Sequence, residues 1–105
     1  MDLNRLREFV YPYYKHKDIM HDLTHIDRVL ITLAGLVKHI NEEIDYEAIV
    51  YAAYFHGFIY SDENAILKWL REEDFEDSRI NKIVQIAWES QKDENAETLE
   101  GKVLH

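Results

Sequence analysis

The chain has 105 residues, no cysteine, and a formal charge of −9 from 12 lysines and arginines against 21 aspartates and glutamates. Disulfides, zinc-thiolate sites and thiol nucleophiles are therefore excluded. The cations are scattered while acids cluster at Glu72-Glu73-Asp74 and from Asp93 to Glu100, which argues against a nucleic-acid duplex as partner, since phosphate neutralisation needs a basic face.

An apolar share of 47% suits one folded domain of modest core. The longest apolar run, Val29–Val37, is far too short to span a bilayer. The N-terminal MDLNRLREF has acids mixed in and no apolar h-region. The expectation is a soluble, cytoplasmic protein with no membrane partner.

Taken in order, Leu3, Leu6, Phe9 and Val10 stand at helical spacing over residues 3–10, and Pro12 is expected to end that helix. Tyr11-Pro12-Tyr13-Tyr14 then reads as an aromatic connector. From about Asp22 to Asn41, Ile26, Val29, Leu30, Leu33, Leu36, Val37 and Ile40 follow the i, i+3, i+4, i+7 pattern of an amphipathic helix. Asp45 is the predicted N-cap of a helix running through Phe58, closed by Gly57 as a residue tolerant of a left-handed turn. Further helices are predicted over Asp62–Glu72, from a cap near Asp77 or Ser78, and after a Thr98 cap. Nothing alternates at period two, so the fold class is all-α, one domain.

The polar residues that interrupt these apolar faces are histidines. His25 precedes Val29 by one turn and borders the buried stripe, and His56 shares a face with Ile49 and Ala53. Two imidazoles on packed neighbouring helices can bind a divalent metal, with carboxylates in further positions. Such a metal polarises a phosphoryl group and lowers the pKa of bound water. A histidine on an apolar helix face is more often a hydrogen-bonded core residue than a ligand, so spacing alone leaves both readings open.

The segment HDLTHIDRVL followed by AAYFHGFIY resembles the HD superfamily of metal-dependent phosphohydrolases. DENAILKWL resembles the acidic, alanine-containing helix that comes next in many members, and TLEGKVLH the segment before the family's late aspartate. The likeness runs from about His21 to the last residue. It implies an HD-type bundle of five to six helices, with His25 and His56 as metal ligands. It further implies a divalent ion (Mn, Ni, Co, Fe or Mg) and a small phosphorylated substrate such as a nucleotide.

Gly57 stands where the family's His-Asp doublet has its aspartate, and the late aspartate would follow His105. The expectation is thus a degenerate site on a bundle truncated at its C-terminus, with activity impaired or lost and the metal weakly held or absent. Glu89 lies near a position where many relatives have another histidine.

Asp22, Asp27, Asp62 and Glu63 are the candidate substitute ligands, each also readable as a cap or surface charge. His21 could line the same cleft or merely cap the helix entry. Arg28 could meet a substrate phosphate, against the plainer reading of a salt bridge to Asp27, Asp22 or a neighbouring helix. Three functional readings follow: an HD-type phosphohydrolase, a non-catalytic ligand-binding or protein-interaction module on the same fold, and a helical domain whose histidines serve only the core. Apolar surface at Leu99, Val103 and Leu104 is expected to favour a homodimer.

Overall fold

A computed structural model describes residues 1–16, 22–38, 43–91 and 96–104. His21, His39 and Ile40 lie outside the described residues. Among those described there are six helices and no strand: α1 (Leu3–Tyr14), α2 (Leu23–Val37), α3 (Tyr46–Phe55), α4 (Ile59–Glu72), α5 (Asp77–Glu89) and α6 (Leu99–Leu104). The all-α expectation holds.

The chain is organised around α3. Every residue from Ala48 to Phe55 is buried, as expected of a helix apolar on all sides. Asp45 caps it as predicted, its carboxylate accepting from the Ala48 N–H at 3.1 Å. Helices α1, α2, α5 and α6 pack around α3, and α4 leans on α5. The radius of gyration, 13.0 Å, is what a folded unit of about 100 residues should have.

Several boundaries differ from the pattern reading, each for a local reason. Pro12 does not end α1, which continues through Tyr14. A proline in the last turn forfeits a single hydrogen bond, and Tyr14 beyond it is 2% exposed and anchored in the core. The aromatic connector is therefore a helical turn. Phe9 stacks on Trp69 at 4.8 Å between centroids and Tyr13 on Phe58 at 4.2 Å, tying α1 to α4 and to the residue that precedes it.

On α2 the buried stripe is narrower than its apolar periodicity suggests. Ile26, Leu30 and Leu33 are buried, but Leu36 is 55% and Ile31 75% exposed, because α3 covers one face of α2 only. Helix α3 ends at Phe55 rather than Phe58.

Helix α4 starts at Ile59 and is kinked at Asp62 (φ −132°, ψ 32°). It closes with Asp74 in the left-handed region (φ 64°), where the Phe75 N–H reaches the Leu70 carbonyl and the Asp74 N–H that of Arg71. This is a Schellman closure with aspartate in the usual glycine place. Glu76, not Asp77 or Ser78, flanks the start of α5, without a side-chain cap.

At the C-terminal end Thr98 does cap α6, its hydroxyl accepting from the Gly101 N–H at 2.9 Å. Val103 and Leu104 pack against the core instead of forming an exposed apolar face, which corrects the expectation for that segment. Two buried carboxylates hold α6 down. Glu89 accepts from the backbone N–H of Glu97 and Thr98, the Thr98 hydroxyl and the Gln85 amide. Glu100 accepts from the Asp45 N–H at 2.9 Å and pairs with Lys82.

Candidate functional site

His56 is the C-cap of α3 and half-buried. It sits where α3 turns away beneath the C-terminus of α5. Its ring Nδ1 lies 2.8 Å from the Ser90 Oγ, and its backbone carbonyl accepts from the Gln91 amide at 2.9 Å. Ser90 is itself 5% exposed and donates to the Ala87 carbonyl at 2.6 Å. Pattern reading singled out neither Ser90 nor Gln91. Both follow the last apolar turn of α5, and their link to His56 spans more than thirty residues.

Gly57 follows, and its conformation is not left-handed. The glycine is explained by space. A Cβ at this position would stand 2.6 Å from the Tyr14 hydroxyl and 2.7 Å from its Cε1, closer than real Cβ contacts. The Tyr14 hydroxyl accepts from the Gly57 N–H at 3.0 Å and donates to the Tyr54 carbonyl at 2.7 Å. One phenol thus serves two backbone groups left over at the end of α3. Burial, only partly offset by the Gly57 hydrogen bond, pushes the Tyr14 phenol well above its ordinary value.

His25 lies in the first turn of α2, half-buried, with its N–H bonded to the Asp22 carboxylate at 3.0 Å. Asp22 is therefore the helix cap, the plainer of its two readings. Asp27 is held by Arg7 and by the Tyr54 hydroxyl, the latter at 2.6 Å. Burial first, then that hydrogen bond, raise Tyr54 to about 12. Glu63 accepts from the Trp88 indole N–H, and Asp62 from the Ser61 hydroxyl at 2.7 Å. Arg28 is exposed and makes no ion pair among the described residues, so the expected bridge to Asp27 is replaced by the Arg7 pair.

Near this end of the bundle a pocket of about 230 Å³ opens between the last turn of α1 and the first turn of α2. It is lined by Tyr11, Tyr14, Lys15, Asp22, Leu23 and Thr24. Tyr14 thus serves two places, its hydroxyl touching Gly57 and its side chain lining the pocket.

Whether these residues suit a divalent ion is answered by the donors. Among the described residues no three histidine, aspartate or glutamate side chains gather in a way that could hold one. Each nearby acid is already a cap or a hydrogen-bond acceptor. The described donor set does not fit a metal centre, since hard divalent ions want several anionic oxygens.

Comparison of the chain with protein-family models, with curated proteins and with solved structures gives no match in any of the three.

Proposed function

We propose that this chain is an HD-type, phosphohydrolase-like helical domain in which metal-dependent catalysis is impaired or lost. In this reading the end of the bundle at His56 serves to bind a small ligand, a phosphorylated one by the resemblance. One observation carries the proposal: the packing of the Tyr14 phenol against Gly57. Where the HD family has an aspartate after its histidine, this chain has neither the carboxylate nor room for one. Two neutral imidazoles without that anionic oxygen hold a hard ion poorly.

The sequence motifs around His25 and His56 support the lineage, and the engagement of Asp22, Asp27, Asp62 and Glu63 by other partners supports the loss.

The test is metal analysis of untagged protein dialysed against chelator, followed by assay with nucleotides and a generic phosphate ester in added manganese, nickel or cobalt. No stoichiometric metal and no turnover above that of a His56→Ala variant are expected. Robust turnover that His56→Ala abolishes would overturn the proposal and make the chain an active phosphohydrolase.

A protein-interaction module is the second reading, favoured by Ile31 and Leu36 standing exposed on the outer face of α2. A dimer mass in light scattering at micromolar concentration, reduced to the monomer by Ile31→Glu, would put it first.

A further inference from the structure

The hydrogen bonds that Ser90 and Gln91 make bear on the role of the His56 Nδ1. The Ala87 carbonyl lies near the end of α5, where backbone acceptors lack helical partners. It receives the single hydroxyl hydrogen of Ser90 at 2.6 Å and one amide hydrogen of Gln91 at 3.3 Å. The other Gln91 amide hydrogen goes to the His56 carbonyl at 2.9 Å.

With two carbonyls facing it, the Gln91 side chain must present its nitrogen on this side. Both of its hydrogens are then placed, and its 3.5 Å approach to the His56 Nδ1 has no hydrogen left to share. Ser90 has likewise spent its only hydrogen, so its oxygen can meet Nδ1 at 2.8 Å solely as an acceptor. The proton of that contact belongs to the imidazole.

We infer that Ser90 is the positioning residue of the candidate site: it fixes the neutral His56 ring as the Nδ1–H tautomer and makes Nε2 the ring's acceptor. This deepens the reading of His56 as a binding residue and rests on that reading for its functional consequence. A group meeting Nε2 of the neutral ring must bring a donor hydrogen or a cation. A carboxylate or phosphate oxygen meets it favourably only after the ring is protonated. Partners on the far side of a metal-ligating histidine set its tautomer in the same way.

The ring can be read directly. In protein labelled with nitrogen-15 histidine, long-range proton–nitrogen correlations under alkaline conditions, where the imidazole is neutral, report which nitrogen bears the hydrogen. Wild type should show His56 protonated at Nδ1. In Ser90→Ala, Nδ1 loses its acceptor and the Gln91 amide can turn the hydrogen it gave the Ala87 carbonyl toward Nδ1, so the population should move to Nε2–H. Ser90→Thr, which keeps the hydroxyl, should retain Nδ1–H.

An Nε2–H ring in the wild type, a measurement that needs no variant to fold, would overturn the assignment. So would a Ser90→Ala ring that stays Nδ1–H. Titration of the same sample with inorganic phosphate and with a nucleoside monophosphate separates the two layers. An Nδ1–H ring whose signals neither compound moves supports the role of Ser90 while removing the small-ligand reading of the site.

Discussion

Gly57→Ala is the most informative single substitution, because its sign depends on one neighbour. The new methyl would stand 2.6 Å from the Tyr14 hydroxyl and 3.0 Å from Cζ. Swinging the phenol aside would give up its contacts, since Tyr14 is 2% exposed, meets Phe58 edge-on at 5.7 Å and is bonded to Tyr54. Forcing a methyl into such packing costs about 1–3 kcal/mol. Against this, replacing a glycine whose conformation alanine can adopt stabilises by about 0.4–1 kcal/mol through the unfolded chain, and Gly57 is not left-handed.

The net expectation is a loss of about 1–2 kcal/mol. In urea unfolding, with a slope of about 1–3 kcal/mol/M, the midpoint should fall by roughly 0.5–1 M. Tyr14→Leu removes the phenol tip, and in that background the same alanine should cost nothing or stabilise slightly. The cycle should therefore show a coupling of about 1–3 kcal/mol. An equal cost in both backgrounds, or none in the presence of Tyr14, would refute the claim that Gly57 is glycine for lack of room. It would also reopen the place beside His56 to an aspartate.

Two further outcomes follow from the polar groups. Although burial pushes Glu89 and Glu100 upward, the donors around each outweigh it and hold both below the ordinary carboxylate value. A depressed folded value means stabilisation present above the unfolded value of about 4.3 and lost as pH falls through the folded one. Urea midpoints measured downward from about pH 6 should therefore decline below about pH 4.5, and Glu89→Gln should flatten that decline. A slope unchanged in Glu89→Gln would place the acid sensitivity elsewhere. Asp27→Ala leaves Arg7 and the Tyr54 hydroxyl without their shared acceptor. The ion pair is more than a third exposed and screened, so the loss should be set by the Tyr54 hydrogen bond, about 1–2 kcal/mol in urea unfolding, and a variant as stable as wild type would dismiss the network as a tie between α1, α2 and α3.

What the sequence by itself determined was the helical class and the caps at Asp45 and Thr98. These rest on apolar spacing and on side chains three residues from the N–H they serve, so the information is local. Local pattern was insufficient wherever a distant neighbour decided the outcome. The exposure of Ile31 and Leu36 depends on how much of α2 another helix covers, which no periodicity within α2 encodes. Gly57 reads in sequence as a turn residue, yet it is fixed by the phenol of Tyr14, forty-three positions away.

The same holds at the candidate site. The histidine at position 56 was visible as the lone strongly polar group in an apolar run. Ser90 and Gln91, which orient it from the end of α5, carried no signal, because hydrogen-bond partners 34 and 35 residues apart leave no spacing to recognise. Likewise Asp22, Asp27 and Glu63 were each chemically able to join a metal. The tertiary structure engages all three with other partners, since a carboxylate in a folded interior goes to whichever donors the packing brings nearest.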